Sequence, residues 1–295
     1  MSVPGSNPFE TPRPRGVPLM QGTLRVVVGM YCFGVAAARL HQLRPDRVVE
    51  FLGRPGNLPE GQVNQFGDLL AYGMILCGVL TLLRPISLVL IAIVVYAAAA
   101  SVAGMFDDQN ARAHWTPALE ATRWMAPLAL LLIDFWPPRV RPTLVLCLSA
   151  VGLLRMTTAA MFLAQGIICI DQCQHGGAWA DLVQSVALNG FQRTIDADVS
   201  QRCLGIVGGV NFAVAACLMT SRNPVVPLLA TIWGGLMAFS YTLAGARAGY
   251  DQTLLRASEW GAPLIVTIFQ SLSVKDHKPD YVPEITSPPK SPGKK

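Results

Sequence analysis

Residues 143–169 read TLVLCLSAVGLLRMTTAAMFLAQGIIC, 27 positions with one charge, Arg155. About 20 consecutive apolar residues suffice to cross a hydrocarbon core. Comparable runs lie on both sides, at about 24–41, 66–84, 86–106, 118–136, 203–220, 225–246 and 256–273. Together the eight segments fill most of the 295 residues and leave no room for a separate soluble catalytic domain. Composition points the same way: 52% of residues are apolar, 14% are charged and the mean hydropathy is +0.42. Soluble domains carry roughly a quarter charged residues. The expected fold is therefore an all-α integral membrane protein, because a helix satisfies its own backbone groups in lipid and an open sheet does not.

The flanks differ in character. Residues 1–23 hold five Pro and no periodicity, which predicts an irregular cytosolic leader. All five Lys fall in the last 21 residues beside Pro279, Pro283, Pro288, Pro289 and Pro292, so 274–295 reads as a solvated cytosolic tail. The net charge of +5 is dispersed along the chain, and nucleic acid is not expected as a partner. Eight spans put both termini on one side. With the termini inside, twelve Arg and Lys lie on the inner side and eight on the outer, the bias expected of a cytosolic face in a plasma or inner membrane. Loops 42–65 and 170–202 would then lie outside, each with an amphipathic stretch suited to the bilayer surface: Val48, Val49, Phe51 and Leu52 mark the first, Trp179, Leu182, Val183 and Val186 the second. Of seven Cys, five fall in or beside apolar runs, where Cys behaves as a small hydrophobe. Only Cys169 and Cys173 fit a loop disulfide.

Residues 118–128 read ALEATRWMAPL and residues 254–264 read LLRASEWGAPL. The shared W-x-A-P-L, preceded in both by charges one and four residues before the Trp, predicts an internal duplication. Arg84 and Arg222, Ala103-Gly104 and Ala244-Gly245, and Arg25 and Arg155 extend it. The chain then divides into two four-helix membrane repeats, 24–138 and 139–273, in parallel orientation about an axis along the membrane normal.

These units resemble the DoxX-like family. Arg155, Ala159, Phe162 and Gly166 match its opening Arg-x3-small-x2-aromatic-x3-Gly. Arg25 and Gly29 match in part, with Cys32 and Ala36 departing from it. The loop Phe51-Leu52-Gly53-x-Pro55-Gly56 and a Gly-rich second span ending at Arg84 are also similar. The resemblance implies a small membrane subunit or scaffold without catalytic chemistry of its own. Such a subunit associates with a quinone- or thiol-linked redox complex, and a soluble oxidoreductase or other membrane subunits are its partners beside membrane lipid; others in the family act as cargo or assembly chaperones.

No P-loop, G-x-S-x-G, H-E-x-x-H or Cys-x2-Cys occurs. His41, His114 and His175 sit at span ends or in loops, so transmembrane haem is not expected, nor is a metal centre; a quinone is the cofactor class left open. The intramembrane charges carry more information, since each would cost about 2.5–3.5 kcal/mol if unpaired at a helix centre. Glu120 and Arg123, and Arg256 and Glu259, stand three apart on one helix face with signs exchanged. Across the repeat axis Glu120 would meet Arg256 and Arg123 would meet Glu259, while Pro127 and Pro263 free the carbonyls of Arg123 and Glu259. Asp68 and Asn211 could extend this pocket. Two readings stay open: an ion-pair lock between the halves, or a ligand site of a small-solute transporter. Arg25 and Arg155, near the inner face, are candidates to receive a lipid headgroup or quinone, with Asp134 as an expected partner of Arg155.

Overall fold

A computed structural model describes residues 16–43, 46–56, 59–106, 113–135, 143–245 and 249–273, and these are helical throughout with short connections. The leader up to residue 15 and the tail beyond 273 lie outside the described residues. Helix α1 runs Val17–Leu40, α2 Arg47–Gly56, α3 Glu60–Leu83 and α4 Ser87–Ala103. Then come α5 Thr116–Leu119, α6 Ala121–Ile133, α7 Leu144–His175, α8 Ala178–Phe191, α9 Ala197–Thr220, α10 Val225–Ala244, α11 Tyr250–Leu255 and α12 Ala257–Ser273. Six of these, α1, α3, α4, α7, α9 and α10, are long and apolar enough to cross a membrane. The chain is a multi-pass helical membrane protein.

Its surface carries large apolar side chains that water would not tolerate in such density, among them Leu88 at 75% and Ile206 at 70% exposure. Leu24, Val27, Ile93, Leu130, Ile133, Leu154 and Ile265 form the interior. Central to it are α1 and α7. Helix α1 packs on α3, α6, α11 and α12; helix α7 packs on α9, α12, α5 and α6. Likewise α4 packs on α6 and α10 on α12, while α2 touches α3 and α4 and α8 touches α9 and α10.

Several sequence expectations need correction. Helix α1 begins at Val17, with Pro18 in its first turn, where a missing N–H costs nothing, so part of the expected irregular leader is helix. Helix α7 continues past residue 169 to His175, and the loop expected from 170 starts six residues later. Cys169 and Cys173 are consequently one turn apart within α7 and both are free thiols, not a loop disulfide. The segment at 118–136 is not a single helix but is interrupted at Glu120; that at 256–273 is one helix from Ala257, with a like break just before it at Arg256. Helix α6 keeps 13 residues and α12 17, about 20 and 25 Å at 1.5 Å per residue. Small residues let α9 approach α7 at Gly205 and Gly208. A Cβ at Gly208 would meet Cys169 and Ile170, whereas one at Gly209 would meet nothing.

Candidate functional site: charged side chains at two helix breaks

The breaks share one construction. The amide of Glu120 donates to the Thr116 carbonyl at 2.9 Å and its own carbonyl accepts from Arg123 N–H at 2.9 Å; Arg256 does the same with Gln252 at 3.1 Å and Glu259 at 2.9 Å. Backbone angles agree, φ −99° and ψ 6° at Glu120 against φ −93° and ψ 10° at Arg256, in the sparsely populated bridge region. Across each tightened turn runs an ion pair, Arg123 Nη1 to Glu120 Oε1 at 2.7 Å and Arg256 Nη1 to Glu259 Oε1 at 2.9 Å. A three-residue spacing brings the partners onto one face.

Helices α6 and α12 bring the breaks together. Thr122 Oγ1 and Ser258 Oγ lie 3.2 Å apart, both buried, and Arg123 Nη2 stands 3.8 Å from Glu259 Oε1. The expected contact of Arg123 with Glu259 is present at that longer distance. The expected contact of Glu120 with Arg256 is not an ion pair; each instead pairs with the opposite charge of its own turn. Close backbone approach positions the second break: a Cβ on Gly34 would sit 2.6 Å from the Leu255 nitrogen, and one on Gly234 2.8 Å from the Glu259 carbonyl oxygen.

The two breaks have different surroundings. Glu259, 1% exposed, also accepts from Gln165 Nε2 at 3.2 Å, and Arg256 donates to the Tyr241 hydroxyl at 2.8 Å beneath a ring 4.1 Å away. Glu259 is enclosed there, while Arg256 keeps 16% of its side chain exposed. Glu120 accepts from Ser101 Oγ at 3.1 Å and from Arg47 Nη1 at 3.2 Å, and Arg47 is 57% exposed on α2. A cavity of about 220 Å³ adjoins this half, lined among others by Tyr31, Arg39, Arg47, Tyr96, Glu120 and Arg123.

Asp68 and Asn211 do not extend the cluster. Asp68 is held by Arg39 at 2.8 Å, and buried Asn211 accepts from Trp233 Nε1 at 2.7 Å. At the opposite end, Arg25 takes Asp134, at 2.8 Å through Nε and 2.6 Å through Nη2. Arg155 therefore lacks its expected partner and donates instead to the carbonyls of Leu218 and Ser221 at the end of α9, groups that have no helical donor. Both guanidiniums are engaged by the chain's own groups, Arg25 by a carboxylate and Arg155 by the last carbonyls of α9. Arg47, Ser101, Gln165 and Tyr241 were not legible as site residues; the available signal was that Val35 and Gln165, and Ala100 and Tyr241, would align in the expected repeats and differ.

Compared with family models, curated proteins and solved structures, the chain finds no match. What fold and site define is a class: a multi-pass helical membrane protein with buried charges at two interrupted helices, one of them beside a polar cavity.

Proposed function

We propose that the chain is an eight-span protein of two tandem four-helix units, resembling a doubled DoxX-like unit, with both termini cytosolic, and that it moves a small polar solute across the bilayer at the junction of its halves. The observation that carries this reading is the pair of like-built breaks at Glu120 and Arg256, one of which borders an open, charged cavity. Interrupted helices at matching places in two repeats are how membrane transporters place polar groups at their substrate site. Support for the duplication comes from packing: α1 meets α3 as α7 meets α9, α4 meets α6 as α10 meets α12, and α1 meets α11 and α12 as α7 meets α5 and α6. The Arg256/Glu259 half serves as the lock between units, and the Glu120/Arg123 half as the ligand-facing part.

Reconstitution of the full chain into liposomes, with labelled short-chain acids and amines as a panel, tests this. Saturable flux of at least one solute is expected, lost in Glu120→Gln while the protein still elutes as a folded species. No flux from a well-folded preparation would overturn it. Co-purification of a soluble oxidoreductase or enriched quinone in that case would favour the redox-linked subunit that the DoxX-like resemblance implies.

A further inference from the structure

The two carboxylates that line the cavity, Glu120 and Asp46, are already engaged. Both oxygens of Glu120 are engaged, Oε1 by Arg123 and Arg47 and Oε2 by Ser101. Asp46, also in the lining, accepts from the backbone N–H groups of Val48 and Val49 through Oδ1 and from the Tyr96 hydroxyl through Oδ2. Arg39 is committed to Asp68 and Asn64. Donors, in contrast, are in surplus. Arg47 reaches the cluster through one bond of 3.2 Å, and Nε of Arg123 is buried without a partner. An occupant that satisfies this lining must bring acceptor oxygens.

We infer that the cavity is a binding site for a small carboxylate, received by the guanidinium groups of Arg47 and Arg123 in exchange for part of their hold on Glu120. The inference deepens the transport reading by naming its substrate class, and it rests on that reading for its place in flux. A carboxylate matches the planar fork of a guanidinium. The volume of about 220 Å³ is below the ~300 Å³ of ordinary ligand pockets, which suits an acid of a few carbons or the carboxylate of a lipid headgroup. One site per chain is expected. Ala100 lines the cavity, whereas its match on α10 is Tyr241, whose ring and hydroxyl are spent on Arg256.

The test is equilibrium binding of labelled propionate to the detergent-purified full chain, with propylamine as the cationic control. Saturable binding near one per chain is expected, not displaced by propylamine. Arg47→Gln should weaken it roughly tenfold, the scale of one charge-assisted hydrogen bond, and Arg47→Lys less. Arg47 is exposed on α2, so the variant is expected to keep the wild-type melting temperature. In nanodiscs, competition by phosphatidylserine over phosphatidylcholine would assign the carboxylate to a lipid headgroup, and its absence to a free acid. Absence of propionate binding, unchanged affinity in Arg47→Gln or displacement by propylamine would overturn the inference. Binding without flux would reject transport alone, and flux of another solute without propionate binding would reject this site alone.

Discussion

Thr122 and Ser258 share a hydrogen bond of 3.2 Å between their hydroxyl groups in the interior of the bundle. They occupy the same place in the two related stretches ALEATRWMAPL and LLRASEWGAPL, so a pair of matching residues meets itself. Under the proposed duplication, such self-contact is what a twofold axis would produce. Next to it Arg123 and Glu259, also matched in place, stand 3.8 Å apart.

A double substitution reads out this contact. Thr122→Cys combined with Ser258→Cys should form an intramolecular disulfide on treatment with a lipid-soluble oxidant, identified by mass spectrometry of the linked peptides. Failure to link, with both thiols reduced in a folded preparation, would contradict the packing of α6 on α12.

The two carboxylates of the cluster should behave differently on removal. Glu259→Gln removes the enclosed counter-charge of Arg256, a loss of about 3–5 kcal/mol for a buried pair. Glu120 borders the cavity, and the cost of Glu120→Gln should be clearly smaller. Melting of the two variants in one detergent checks the order. Equal losses would indicate a single lock and no ligand-facing half.

How much of this was legible beforehand depends on the residue. Apolar runs and the exchanged signs at 120/123 and 256/259 are written in the chain, because lipid demands the first and burial of charge demands pairing. The partners are not. Opposite signs across the axis suggested Glu120 with Arg256, yet the tightened turn at each break satisfies both charges locally. Asp134 went to Arg25 because α1 packs on α6, and Arg155 met the end of α9 instead. Which helix lies beside which is a property of tertiary packing, and an apolar stripe reports only that a neighbour exists. Arg47 was hidden for a related reason: an Arg on a surface helix has the same sequence context whether it faces water or a buried Glu.

Close backbone approach makes two glycines sensitive. Gly234→Val forces a side chain against the Glu259 carbonyl, and Gly34→Leu forces one against the Leu254 and Leu255 backbone. Overpacking of this kind costs about 1–3 kcal/mol or more, since backbone atoms cannot turn aside. Gly73, with open space where a Cβ would be, is the control: Gly73→Ala should leave the melting temperature unchanged.

At the other end of the bundle, Asp134→Asn should loosen the seam between α1 and α6. Arg25 and Asp134 are partly exposed, at 31% and 17%, which limits the expected loss to about 1–2 kcal/mol, between surface and buried pairs. A double-mutant cycle with Arg25→Gln measures the coupling. Additive losses would show that the contact contributes nothing to stability.

The most direct test of the central claim is the initial rate of labelled propionate uptake against concentration, in proteoliposomes carrying wild-type chain or Arg47→Gln. A saturable rate is predicted, with a half-saturation concentration roughly tenfold higher in the variant. Uptake that rises linearly and equals that of protein-free liposomes, from a preparation that is folded, would contradict it.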